Sequence, residues 1–130
     1  MTPVVVDASA LAAIVFQEPG FEQIVPKLEG KTVYAPHLLT FEMANLAWKK
    51  ARRHPSKSAA IFGALAIALD DRCELGWQHV HATDVALLAQ ATGMTAYDAS
   101  YLWLAGMLGA DLVTLDKKLA AARQRIGDAD

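Results

Sequence analysis

Three consecutive valines, Val4-Val5-Val6, follow Pro3 and end at Asp7. β-Branched residues without polar alternation predict a strand buried on both faces, which requires helices above and below its sheet. The rest of the chain agrees. Short apolar strands alternate with longer helical segments, the pattern of a three-layer α/β/α domain with a mostly parallel central sheet of four or five strands. The 130 residues, 54% of them hydrophobic, suffice for one such domain, residues 1–130, and are too few for two.

The individual elements follow from periodicity and punctuation. Leu11, Ile14 and Val15 are helically spaced within Ala8 to Phe16, a helix that stops before Glu18-Pro19-Gly20. Phe21 to Leu28 is a second helix, brief or kinked because it contains Pro26. Thr32 to Ala35 is the next strand. Leu38 to about Arg53 is a long helix ended by Pro55, and Ser56 is the expected cap of a helix through Asp70. Trp77 to Val80 reads as a third strand, with His81 to Thr92 and Ala96 to Leu108 as helices ended by Gly93 and Gly109. Asp111 to Leu115 is the fourth strand and Lys117 to Arg125 the last helix, before a frayed polar tail, Gly127-Asp128-Ala129-Asp130.

Composition removes several function classes. Lys and Arg total 12 against 14 for Asp and Glu, so a net charge of −2 excludes coating of nucleic acid by bulk charge. Any such contact must be local. The single cysteine, Cys73, forms no internal disulfide and lies in no CxxC pair. Met1-Thr2-Pro3-Val4 shows no signal peptide, and the apolar run Ala59 to Leu69 is shorter than the roughly 20 residues that span a bilayer, so a cytoplasmic location is expected. Neither GxxxxGK[ST] nor GxGxxG is present, and no Ser/His/Asp triad is suggested around Ser9 or Ser100. His79 and His81 share one face of the third strand without a third ligand at useful spacing, which makes the pair structural.

Four acids carry the chemistry. Asp7 and Asp116 follow strands, Glu42 lies in the early turns of the long helix, and Asp98 in the first turn of its own. Ligands of parallel sheets gather outside the carboxyl ends of the strands, where all four side chains are expected to converge. Each acid taken alone is better read as a helix cap, and Thr95-Ala96-Tyr97-Asp98 fits a capping box. A cap contributes about 1 kcal/mol. Two carboxylates about 4 Å apart repel by about 4 kcal/mol at an effective dielectric of 20, and neutral Ser, Thr or Asn caps without that repulsion. A shared divalent cation explains the set better. All-oxygen ligation suits Mg²⁺ or Mn²⁺, whereas Zn²⁺ prefers His or Cys. Ser9 is expected to cap or to support the metal site.

The long helix carries one further signal. Glu42, Asn45, Lys49, Arg52 and Arg53 fall within an arc of about 100°, opposite an expected apolar face of Phe41, Ala44, Leu46 and Trp48. Such a stripe can lead a phosphate backbone toward the metal over about 15 Å, or simply be a solvated face with cations at the helix C-terminus. Lys117 and Lys118, beside Asp116, carry the same two readings.

Four segments together resemble the PIN-domain family. They are Val4-Val5-Val6-Asp7-Ala8-Ser9-Ala10-Leu11, Phe41-Glu42-Met43-Ala44-Asn45, Tyr97-Asp98-Ala99-Ser100-Tyr101-Leu102 and Leu112-Val113-Thr114-Leu115-Asp116-Lys117-Lys118-Leu119. In particular the chain resembles the VapC-type toxins of bacterial and archaeal toxin–antitoxin modules. The resemblance implies that Asp7, Glu42, Asp98 and Asp116 are catalytic metal-binding acids, that Ser9 is the site hydroxyl and that Thr114 is the hydroxyl near the last acid. It also implies a Mg²⁺-dependent endoribonuclease, commonly dimeric and inhibited by a cognate antitoxin; the helix stripe and the lysine beside Asp116 add Asn45, Lys49 and Lys117 as weaker candidates for RNA contact. One departure is visible, because Arg125-Ile126-Gly127-Asp128-Ala129-Asp130 offers little for the fifth strand with which the family often ends.

Three alternatives remain at this level. A receiver-like phosphoacceptor domain needs an acidic pair after its first strand, where Asp7 stands alone. A haloacid-type phosphatase needs Asp-x-Asp, which Asp7-Ala8-Ser9 is not. A non-catalytic RNA-binding or interaction domain would keep the fold without the metal. Trp48, Trp77 and Trp103 add weak support for a dimer or a bound antitoxin, although a core position is preferred for Trp103.

Overall fold

The structure, a computed structural model, describes residues 1–129. Its centre is a sheet of four parallel strands, β1 (Pro3–Val6), β2 (Thr32–Pro36), β3 (Gly76–Gln78) and β4 (Asp111–Val113), in the order β3-β2-β1-β4. The three-layer α/β/α architecture expected from the valine run is present. Val5 pairs with Tyr34 on one side and Leu112 on the other, and both Val5 and Val6 are wholly buried. Burying each such side chain contributes roughly 1.5–3 kcal/mol, which anchors β1 at the centre of the sheet.

Among the described residues seven α-helices connect and cover the strands: α1 (Ala8–Val15), α2 (Phe21–Leu28), α3 (Leu38–Arg53), α4 (Ser58–Ala66), α5 (Ala82–Thr92), α6 (Ala96–Leu108) and α7 (Lys117–Ala129). From β1 to β3 the chain steps outward along the sheet, then returns past β1 to form β4. Right-handed crossovers place α1 to α4 on one face and α5 and α6 on the other. Contacts agree, with α1 packed on α2 and α3, and α6 packed on α5, α7 and three of the strands. The order therefore reverses between β1 and β4, where open parallel sheets form ligand crevices.

Several boundaries differ from expectation. Ser56 lies in a 3₁₀ turn, Pro55–Lys57, and α4 starts at Ser58, whose hydroxyl donates to Pro55 O at 2.9 Å. The following turn, Ile67–Asp71, is π-helical. β3 stops at Gln78, so His79 and His81 lie beyond the strand, their rings 6.4 Å apart. β4 stops at Val113 rather than Leu115: its last ladder bond runs from the Asp7 amide to the Val113 carbonyl, and beyond it Thr114 and the Leu115 amide bond to the side chains of Asp7 and Ser9 instead of to a strand. The supposed tail continues α7 through Ala129, and Asp130 lies outside the described residues. Among the described residues there is no fifth strand.

The exposed face of α3 is the main correction. Leu39, Met43, Ala47 and Ala51, spaced by four, are the residues that pack inward. Phe41, Ala44, Leu46 and Trp48 are exposed beside the polar stripe, with Phe41 72% and Trp48 50% accessible. The guanidinium of Arg52 lies 4.6 Å from the centre of the Trp48 ring. Trp103 is half-buried against the core, as preferred from sequence.

Candidate active site

Asp7 leaves the end of β1 and caps α1, accepting the amide of Ala10 at 3.0 Å on Oδ1. The hydroxyl of Ser9 donates to the same oxygen at 2.8 Å, and Thr114 donates to Oδ2. A hydroxyl has one proton and two acceptor sites. Having spent their protons on Asp7, both hydroxyls accept backbone amides, Ser9 from Leu115 at 3.0 Å and Thr114 from Asp116 at 2.9 Å. This web joins the β1–α1 and β4–α7 turns across the switch point. Asp116 in turn accepts the amides of Lys118 and Leu119 on Oδ1, at 2.9 and 3.1 Å. Capping and site placement thus coincide in the same acids.

The other two acids come from helices. Glu42, one turn into α3, accepts the phenolic proton of Tyr101 on Oε1. Asp98 sits in the first turn of α6, its amide held by the Thr95 side chain at 3.1 Å. All four acids line one cavity of about 290 Å³, together with Ser9, Asn45 and Tyr101. A larger cavity of about 630 Å³ runs along the outer edge of β4 past Lys27, Lys31, Asp111 and Arg123, and holds none of the four.

Electrostatics reflect the crowding. Burial pushes the carboxyl of Asp7 above its ordinary range; its three hydrogen bonds oppose this and Asp116 adds to it. Burial also raises Glu42, opposed by the Tyr101 bond and reinforced by Asp7 and Asp98. Asp98 is raised by burial and then by Asp116. Tyr101 is almost wholly buried, and burial with the neighbouring acids drives its phenol far above the usual value, so it acts as a permanent donor. Among the described residues no ion pair involves any of the four acids.

Among the described residues, no three His, Cys, Asp or Glu side chains stand close enough to form a ready-made metal cage. The donor set nevertheless fits Mg²⁺, which retains several waters and takes one or two carboxylates directly, and it does not fit a closed Zn²⁺ site. The remaining sequence candidates divide. Asn45 lines the acid cavity, Lys49 is exposed on α3, and Lys117 lines a different cavity with Thr92 and Arg125. Tyr101 is a site residue absent from the set the sequence points to. Its signal was its position three residues after Asp98 on one helix, which puts both side chains on one face.

The PIN domain family model matches residues 4–124. This chain belongs to the PIN-domain family. Among curated proteins the PIN-domain chain is similar to Ribonuclease VapC3 of Pyrobaculum aerophilum, 34% identical over 127 residues, covering 89% of this chain and 91% of the relative. It is similar also to Exonuclease VapC9 of the same organism, 33% identical over 116 residues, covering 89% and 82%. Among solved structures the PIN-domain chain resembles the crystal structure of PAE2754 from Pyrobaculum aerophilum. That likeness has a TM-score of 0.74 at 30% identity, covering 92% of this chain and 84% of the other.

Proposed function

We propose that this PIN-domain protein is a Mg²⁺-dependent endoribonuclease that hydrolyses RNA phosphodiesters and acts as the toxin of a type II toxin–antitoxin pair. One observation carries the reading: four carboxylates from four segments line a single cavity in which none has a cationic partner among the described residues. The names of the two VapC relatives support a nuclease. Asp7, Glu42 and Asp98 would hold Mg²⁺, directly or through water, with Mn²⁺ able to substitute. An ion held there would lower the pKa of a water and neutralise charge on the scissile phosphate.

The chain's own groups do the rest. Ser9, Thr114 and Tyr101 hold the Asp7 and Glu42 carboxylates in fixed orientations. Asp116 has Oδ1 committed to two amides, which leaves Oδ2 to orient the attacking water and accept its proton. Water oxygen bonds to phosphorus, the bond to the 3′ oxygen breaks, and that oxygen takes a proton. The products are a 5′-phosphate and a 3′-hydroxyl. Partners follow as further parts of the proposal: a cognate antitoxin and a second copy of the chain are the candidates to cover exposed Phe41 and Trp48. The described residues include no helix long and apolar enough to cross a membrane; a cytoplasmic location is a further part of the proposal.

A non-catalytic RNA-binding domain is the rival, favoured by the lack of a preassembled three-acid cage among the described residues. Purified protein incubated with circular RNA, with Mg²⁺ or with EDTA, separates the readings. We expect circular RNA to be cut only with Mg²⁺, leaving 5′-phosphate ends. Cyclic phosphate ends, cutting in EDTA, or attack confined to linear RNA would overturn the endonucleolytic hydrolysis proposed.

A further inference from the structure

Beside the acid cavity lies a cleft of about 320 Å³, walled by Pro36, His37, Gln78, His79, Tyr97 and Ser100. The two hollows share two helices. On α6, Tyr97 and Ser100 line the cleft while Asp98 and Tyr101 line the acid cavity. Each pair is spaced by three, and the pairs are offset by one residue, about 100° around the helix. On α3, Leu38 lines the cleft and Glu42 the acid cavity, four residues or about 6 Å along the axis. A group seated in the cleft is therefore an immediate neighbour of one held by the acids.

The lining selects the chemistry of the occupant. No Lys, Arg, Asp or Glu faces the cleft, so it does not suit a phosphate or a free ion. Its walls are apolar and aromatic. The exposed His37 ring is stacked on Trp77, with centroids 5.7 Å apart and planes 14° from parallel, which holds the imidazole face in place. Tyr97, also in the lining, is 64% accessible, an aromatic side chain left in water at the cavity. Ser100 has given its proton to Tyr97 O at 2.6 Å and can only accept, while Gln78 and His79 add side chains that can donate as well as accept. Flat rings that are apolar on their faces and polar at their edges match this lining. Single-stranded RNA is recognised in this way, by stacking of splayed bases on aromatic side chains with polar groups at the base edges.

We propose that the cleft is a nucleobase subsite, receiving the base of the nucleotide next to the scissile phosphate against the aromatic side chains His37 and Tyr97, with Gln78 and His79 to meet its edge. The assignment rests on the nuclease reading above and extends it from the phosphate to the base. It makes cleavage dependent on base identity at one position beside the cut.

Two measurements test it separately from the nuclease reading. First, the full chain in EDTA is titrated with dinucleoside monophosphates and followed by ¹H–¹⁵N NMR. Shifts are expected at the Trp77 indole N–H and the Gln78 and Tyr97 amides, with affinity about tenfold weaker in His37→Ala and Tyr97→Ala and restored in Tyr97→Phe. Second, cleavage of a randomised RNA pool should show a base preference beside the cut that both alanine variants lose, together with an about tenfold rise in KM. Dinucleotide binding at these residues in a protein that cuts no RNA would uphold the subsite and defeat the nuclease reading. Mg²⁺-dependent cutting with the same base preference and KM in both alanine variants would overturn the subsite alone.

Discussion

Tyr101 donates its phenolic proton to Oε1 of Glu42, a bond between α6 and α3 across 59 residues of sequence. It lowers the pKa of a carboxyl that burial and two neighbouring acids raise. Tyr101→Phe removes that opposition with little change in shape. We expect metal affinity, measured by calorimetry with Mn²⁺ and Mg²⁺, to fall about 10- to 100-fold. The acidic limb of the pH–rate profile should also move to higher pH, since Glu42 would then hold its proton longer. Unchanged affinity and an unmoved limb would remove Tyr101 from the site.

Thr114 is both donor to Asp7 and acceptor from the Asp116 amide. Thr114→Val strips both partners at once. Stability should drop by about 1–3 kcal/mol in urea unfolding, the range for a buried polar group left unpaired. Metal affinity should fall about 10- to 100-fold with it. Ser9→Ala should act in the same direction, because Ser9 donates to Asp7 and accepts from Leu115.

The raised carboxyl groups make a signed prediction about pH. Asp7, Glu42 and Asp98 all hold protons more tightly in the folded chain than at ordinary carboxylate values near 4. Folding therefore takes up protons between the unfolded and folded values, and stability falls as pH rises through that window. In EDTA, thermal unfolding should occur at a lower temperature at pH 7.5 than at pH 5.5 on account of these groups. Asp98→Asn should raise Tm at pH 7.5 and reduce the difference, while Mg²⁺ should raise Tm of the unaltered protein more at pH 7.5 than at pH 5.5. A Tm for Asp98→Asn that is unchanged or lower at pH 7.5 would contradict mutual repulsion at the site.

Glycine positions separate crowding from backbone strain. A Cβ on Gly76 would stand 2.6 Å from Cδ1 and 2.7 Å from Cε1 of Tyr34 on the neighbouring strand, whereas one on Gly30, at φ +70°, meets nothing within 4 Å. Gly76→Ala should cost about 1–3 kcal/mol, as overpacking does. Gly30→Ala should cost about 1–2 kcal/mol, from the left-handed backbone alone. Denaturant midpoints of the two variants check the order.

What was legible in the sequence was local. The Val4-Val5-Val6 run, the glycines after α5 and α6, and the spacing of apolar residues placed β1, α2, α3 and α6 at or within a residue of their observed ends. These signals depend on neighbours a few positions away. The same locality put Asp7 and Asp116 after strands and Asp98 in a first turn.

The faces and the pairings were decided by the folded chain. Periodicity shows that α3 has an apolar stripe, but two candidate stripes exist, and only packing selects Leu39, Met43 and Ala47 over Phe41 and Trp48. Strand β4 ends early because the groups after Val113 bond to side chains more than a hundred residues away, Thr114 to Asp7 and the Leu115 amide to Ser9. Tyr101 meets Glu42, and Thr114 meets Asp7, for the same reason. By itself the sequence determined the kinds of elements and the acids they carry, since backbone propensity and caps act over one or two turns. Tertiary structure alone decided which acids share a cavity and which hydroxyls hold them, because those contacts join residues that only the order of the sheet brings together.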